Sequence, residues 1–283
     1  MKLTDSITYF VLNTLKKYLS SISDRSRYKF SINLANFLYH YANLRKEEAS
    51  ANLIKAFPRY SEENINQILK KTYLFFCNNF IQFISAPKSW NSIKINVIGE
   101  DLLSAYLKRG NGVVFVSGHF GAWEILGKWL GEYSDLFAGI ALRQKNNGAN
   151  KFFHEQRELP GTKQFYKKNS IEKAYMVLSK NGVLGLVSDQ DAKKKGVFVN
   201  FFGKPASTPK GAAMFHLNSS APIMLGVCIQ TGFQEYTIKL LPIDTSSHDI
   251  KVITQNYTSL LEGFIKTHPE QYFWFHNRWK TKQ

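Results

Sequence analysis

Apolar residues recur at helical spacing through residues 1–90, then give way to short, nearly continuous runs. Ile7, Phe10, Val11, Leu15, Tyr18 and Leu19 line one side of the first segment, with Lys16 and Lys17 beside them. Tyr28, Ile32, Leu34, Ala35, Leu38 and Tyr39 continue the period. Residues 1–45 therefore read as amphipathic helix. For residues 1–20 the apolar side suits either packing on a domain or lying in a lipid headgroup layer with the lysines outward. Pro58 stops the next helix. Ser61-Glu-Glu-Asn opens another, because the Ser61 hydroxyl can accept a free N–H and the acids suit the positive end of the helix. That helix is predicted to reach about Ser85 through Ile65, Leu69, Tyr73, Phe76 and Phe80, with Pro87 beyond it.

From Ile93 the period changes. Ile93, Ile95 and Val97 alternate as in a strand, and a short helix over Asp101–Lys108 ends at Gly110-Asn-Gly112. Strands follow at Val113–Val116, Phe137–Leu142, Val183–Ser188, Pro222–Gln230 and Tyr236–Ile243. Helices are predicted from Trp123 to Tyr133 and over Ser170–Lys180, Pro209–Leu217 and Asp249–Lys266. Strands alternating with helices imply right-handed crossovers and an α/β fold: a mostly parallel central sheet flanked by helices, preceded by an N-terminal helical segment. The expected division is a helical region at 1–90 and an α/β domain at 91–283. In such sheets ligands collect at the carboxyl ends of the strands. Three predicted strand ends carry polar residues: His119, Arg143, and Asp189 with Asp191.

Thirty-seven Lys plus Arg against 21 Asp plus Glu give a net charge of +16. Such a surface favours anionic partners. No nucleic-acid motif is present and the charge is not packed into one tract, so nucleic acid is not the expected partner. Cys77 and Cys228 lie in apolar stretches without a Cys-x-x-Cys neighbour, which predicts buried, reduced thiols and no structural zinc. No run approaches the roughly 20 apolar residues of a membrane span. Ile7-Thr-Tyr-Phe-Val-Leu12 lacks the flanks of a signal peptide.

The chemistry concentrates in Val113-Val-Phe-Val-Ser-Gly-His119-Phe-Gly-Ala-Trp-Glu124. This reads as strand, tight turn and helix. Five residues on one helix put side chains about 140° apart, so His119 and Glu124 can meet only if His119 precedes the helix and Glu124 reaches back. A neutral imidazole steadied by a carboxylate is a general base. Backbone N–H groups near Gly121 are then candidates for holding an oxyanion.

The His-x4-Glu block resembles the His-x4-acid motif of lysophospholipid acyltransferases. Its setting is similar to the branch that adds the late, secondary acyl chains to lipid A, the lauroyl and myristoyl acyltransferase type. Ser188-Asp-Gln-Asp191 with Gly196–Thr208, and His268–Lys280, match that branch in the same order. The resemblance runs from about Arg45 to the C-terminus. It implies O-acyl transfer from an acyl carrier protein thioester to a hydroxyl of an anionic glycolipid, without cofactor or metal. His119 would be the base and Glu124 its support. Many relatives carry an N-terminal membrane span. The absence of such a run here implies a peripheral protein at the cytoplasmic face of the bacterial inner membrane.

Arg143 and Arg157 fall near positions where the family places substrate-binding arginines, and a guanidinium there holds a phosphate. Asp189 and Asp191 suit a divalent cation, a sugar hydroxyl, or the capping of a turn. The resemblance implies positioning of substrate without metal. Lys193-Lys-Lys195 reads as a solvated loop or a contact for anionic lipid or an acidic carrier. Tyr73, Phe75, Phe76, Phe80 and Phe83 read as core or as the wall of an acyl groove. No Gly-x-Ser-x-Gly elbow exists, and Gly121–Lys128 departs from a phosphate loop. Acyl transfer to another glycolipid or lysophospholipid is the second reading. A non-catalytic basic protein on anionic membranes is the third.

Overall fold

A computed structural model describes residues 2–158, 162–166 and 170–283. Helix α1 spans Leu3–Ser21 and α2 spans Asp24–Phe37, running into a π-helical turn over Leu38–Ala42. Helix α3 covers Lys46–Ala56 and α4 covers Glu62–Ile84. The Ser61 side chain accepts from the Asn64 N–H, so the α4 start follows its capping chemistry. Strand β1 (Lys94–Ile98) and helix α5 (Glu100–Leu107) precede β2 (Val113–Ser117), α6 (Trp123–Tyr133) and β3 (Phe137–Ala141). Then come α7 (Asn147–Glu158), β4 (Lys163–Tyr166), α8 (Ile171–Ser179) and β5 (Val183–Val187). Strands β6 (Val197–Phe201) and β7 (Lys204–Thr208) pair as a hairpin apart from the main sheet. Helix α9 (Gly211–Ser219), strands β8 (Ile223–Gly232) and β9 (Glu235–Pro242) and helix α10 (Ile250–Thr267) complete the chain.

The main sheet has seven strands in the order β1-β9-β8-β2-β5-β3-β4. Only β8 and β9 pair antiparallel, as their short connection requires; the remaining neighbours are parallel. Strand β2 is buried at every position and apolar up to Ser117, because helices cover both faces of a parallel sheet. The N-terminal helices share its core. Ala35, Leu53, Leu69 and Tyr73 belong to one buried cluster with Val114, Val116, Leu225 and Trp274.

Helix α1 is apolar on two sides. Tyr9, Leu12, Leu15 and Leu19 pack inward against Ile81, Ile84 and Phe152, whereas Ile7, Phe10, Val11 and Tyr18 are exposed. Asp5 is buried and accepts from the backbone and side chain of Asn147, and Gly148 lets α7 approach until a Cβ there would stand 1.8 Å from the Asp5 carbonyl oxygen. Lys16 does not point to water; it donates to Gln156 of α7 and is half-buried. Among the described residues no helix is long and apolar enough to cross a membrane.

Candidate active site

Strands β2 and β5 are adjacent and parallel, with Ser117 opposite Val187. The Ser188 N–H donates to the Ser117 carbonyl at 2.9 Å, extending the register past both strand ends. Residues two beyond each end therefore face one another. His119 Nδ1 lies 2.7 Å from Asp189 Oδ1, and Asp189 is 4% exposed. The His119 carbonyl accepts from the Phe273 N–H at 2.9 Å, which holds the turn from its other side. Gly121, at φ +63°, brings the turn against β8, where a Cβ would fall 2.0 Å from the Cys228 carbonyl oxygen.

Burial alone would raise the Asp189 carboxyl. The charge of His119, hydrogen bonds from its ring and backbone, and nearby Arg278 outweigh that and hold it below the usual carboxylate range. A carboxylate only accepts, so His119 Nδ1 carries its proton and Nε2 presents a lone pair. The Gln190 side-chain amide sits 3.4 Å from Nε2. Arg278 is 2% exposed and donates to the Ser207 carbonyl and to Thr208 Oγ1 on β7. Burial and Asp189 together push the Tyr272 phenol far up, so it stays protonated.

Glu124 does not reach His119. It opens α6 as expected, but its carboxylate faces α7. Arg157 Nη2 donates to Glu124 Oε1 at 2.8 Å and Arg157 Nε lies 3.2 Å from both oxygens, while Trp123 Nε1 adds a bond at 3.2 Å. Desolvation would lower the Arg157 guanidinium, but the Glu124 charge and hydrogen bonds outweigh it and hold it above its ordinary value. The carboxylate beside His119 is therefore that of Asp189, which the resemblance implies for positioning substrate, and not that of Glu124. A helix start sets local neighbours, whereas the sheet register sets the partner of His119. The Gly121 N–H is also taken, by the Gln271 carbonyl at 2.8 Å, and the Ala122 N–H donates to Cys228 at 2.7 Å. Trp123, Glu124 and Ile125 in the first turn of α6 precede the first intrahelical bond, from Leu126 to Ala122, and are the donors left there.

Beside this pair lies a cavity of about 660 Å³. Its wall is mostly apolar: Leu34, Leu38, Tyr73, Phe76, Cys77, Phe80, Phe83, Phe153, Phe273 and Phe275. The aromatic stripe of α4 is thus cavity wall at Tyr73, Phe76, Phe80 and Phe83; Phe75 is buried outside that wall. Glu124 and Arg157 line it as its charged edge. His119 stands next to the wall, its ring centroid 5.2 Å from Trp123 and 6.1 Å from Phe273, both of which line the cavity.

The other expected residues lie elsewhere. Arg143 is exposed and reaches only Asn147, at 3.5 Å, so it does not join the site; its neighbour Gln144 lines the cavity. Asp191 faces the C-terminal segment. Its N–H donates to His276 Nε2 at 3.1 Å and its Oδ2 accepts from Thr281 at 2.9 Å. Among the described residues no cluster of three or more His, Cys, Asp or Glu converges as metal ligands do. Lys193–Lys195 forms an exposed 3-10 turn. His276, within the His268–Lys280 block, lies behind the pair; burial pushes it down, with Asp189 and Asp191 acting against that and His119 and Arg278 with it.

Residues 2–281 match a family model described as bacterial lipid A biosynthesis acyltransferase. The chain is 29% identical over 189 residues to a phosphatidylinositol mannoside acyltransferase of Mycobacterium tuberculosis, covering 64% of this chain and 58% of that one. It is 23% identical over 245 residues to the lipid A biosynthesis palmitoleoyltransferase of Escherichia coli, covering 84% and 79%. It is 22% identical over 278 residues to a lipid A biosynthesis acyltransferase of Haemophilus influenzae, covering 94% and 85%. The match to the mycobacterial relatives spans about three-fifths of their length.

Proposed function

This chain belongs to the bacterial lipid A biosynthesis acyltransferase family, and from that premise we propose that it moves a fatty acyl group from an acyl carrier protein thioester to a hydroxyl of a lipid A precursor. The observation that carries the reading is an imidazole oriented by a buried carboxylate beside a long apolar cavity. His119 Nε2 takes the proton of the acceptor hydroxyl, and Asp189 stabilises the imidazolium that forms. The oxygen attacks the thioester carbonyl. The tetrahedral oxyanion faces the first turn of α6, where the Trp123 and Glu124 N–H groups and the positive end of the helix favour negative charge. The thiol leaves as the carbonyl re-forms, and no acyl-enzyme is needed. The acyl chain lies along α4 in the cavity. Arg157, held by Glu124, sits at its edge within reach of an anionic acceptor.

The net charge of +16 suits an acidic carrier and a phosphorylated acceptor. The outward stripe of Ile7, Phe10, Val11 and Tyr18 suits peripheral attachment at the cytoplasmic face of the inner membrane. Phe10→Asp is expected to weaken binding to anionic vesicles while leaving transfer to detergent-solubilised acceptor intact. Equal vesicle binding would remove α1 from the membrane contact.

The mycobacterial likeness favours a second acceptor, a phosphatidylinositol mannoside or related glycolipid. Incubating the protein with acyl carrier thioesters and each acceptor separately, with product mass spectrometry, distinguishes the two. Transfer to the lipid A precursor, absent in His119→Ala, supports the first. Transfer to the mannolipid alone selects the second. No transfer to any acceptor, with the protein folded, overturns both.

A further inference from the structure

Besides Glu124 and Arg157, the cavity wall carries Arg45, Asn79, Gln82 and Gln144 as polar side chains. Along α4 the wall runs from Tyr73 to Phe83. Phe76 marks the level of the reacting groups, its ring 5.8 Å from Trp123 and 5.2 Å from Phe273. Gln82 follows roughly 9 Å further along the helix axis. The lining at that level is enclosed on its inner side: Gln82, Phe83 and Trp90 are each 5% exposed or less.

Gln82 is not an ordinary satisfied amide. Its Oε1 accepts from the Tyr236 hydroxyl at 2.9 Å. Among the described residues its Nε2 has no acceptor, and the indole N–H of Trp90 at the same end has none either. The neighbouring wall amide, Asn79, donates to the Phe75 carbonyl at 2.9 Å. A buried donor on a cavity takes a water or a ligand oxygen, because leaving it bare is costly. Each methylene entering the apolar part strengthens binding about fourfold. A chain end pressed against the Gln82 amide displaces that oxygen and leaves the N–H unpaired, an effect of about tenfold or more in the opposite direction.

We propose that the Gln82 carboxamide sets the length of acyl chain this enzyme takes, acting as a polar stop at the inner end of the cavity. The assignment rests on the acyltransferase reading above. A saturated chain gains affinity until its terminal methyl meets the amide and loses it beyond. A chain with a hydroxyl on its last carbon is accepted past that point, because the hydroxyl oxygen takes the Nε2 hydrogen bond.

The test measures dissociation constants for a ladder of saturated fatty acids by displacement of a fluorescent fatty acid from the whole protein. Wild type is compared with Gln82→Met, which nearly keeps the volume and cannot donate. Wild type should show a maximum, then a drop of about tenfold within two carbons; in Gln82→Met the drop should move to longer chains. A terminally hydroxylated acid just past the wild-type drop should regain about tenfold in wild type and not in the variant. Coinciding ladders with no hydroxyl gain overturn the role of Gln82 alone. If no fatty acid binds either folded protein, the acyl-cavity reading falls and this one with it. Should Gln82→Met fail to fold, the hydroxyl comparison in wild type decides.

Discussion

Two acid–base pairs stand on either side of Trp123, and they are built differently. His119 and Asp189 hang from adjacent strands whose backbone register continues past their ends. Glu124 and Arg157 hang from two helices and meet only through their side chains, each of which stays partly exposed. The first pair is fixed by the sheet, with Asp189 enclosed and the His119 ring partly exposed. The second is held by its own attraction at the edge of a cavity. On the function proposed above, the strand-borne pair carries the chemistry and the helix-borne pair meets the acceptor.

The sharpest way to break this contrast is to remove the base. His119→Ala is expected to lower kcat by about 10⁴-fold with an unchanged melting temperature. Residual activity within tenfold of wild type would dismiss the mechanism. Asp189→Asn keeps the shape but can donate to Nδ1 and favour the wrong tautomer. It should lower kcat by about 10³-fold with little change in KM. A loss confined to KM would return Asp189 to the substrate.

The helix pair should behave otherwise. Glu124→Ala and Arg157→Ala are each expected to raise the acceptor KM by about tenfold, and the double variant should be little worse than either, a coupling on the order of 1–3 kcal/mol. Additive losses measured across the cycle would show that the two act separately.

The smallest effect concerns pH. His276 has its folded value pushed below the unfolded one, so its neutral form contributes stability above about pH 6.5, lost as pH falls through the folded value. Asp189 is held low as well, so its contribution persists until pH falls below the ordinary carboxylate range. The melting temperature should therefore drop modestly between pH 7 and pH 5, and His276→Asn should flatten that slope. An unchanged slope would place the titration elsewhere.

The same contrast explains what could be read from the chain. Strand β2, the start of α4 at Ser61 and the α6 turn announce themselves through local pattern. Helix α7 does not: it carries Phe152 and Phe153 without a periodic apolar stripe, because Gly148 and Gln156 supply part of its buried face. The partner of His119 lies 70 residues away in sequence, across a strand pairing that spacing does not encode. Glu124, five residues from His119, was the nearer acid on paper and the farther one in space. Lys16 and Lys17 divide in the same way, the first donating to Gln156 and the second exposed. An amphipathic pattern says which residues share a side, not which side faces water.

Cys77 lines the cavity proposed above to receive the acyl chain. Burial pushes its thiol up to about 11, so at neutral pH only about one molecule in ten thousand holds it as thiolate. A thiolate there would compete with the acceptor oxygen by thiol exchange and leave the enzyme acylated on its own wall. Keeping that sulfur dry preserves the lining as a passive sleeve, through which cargo slides without being captured.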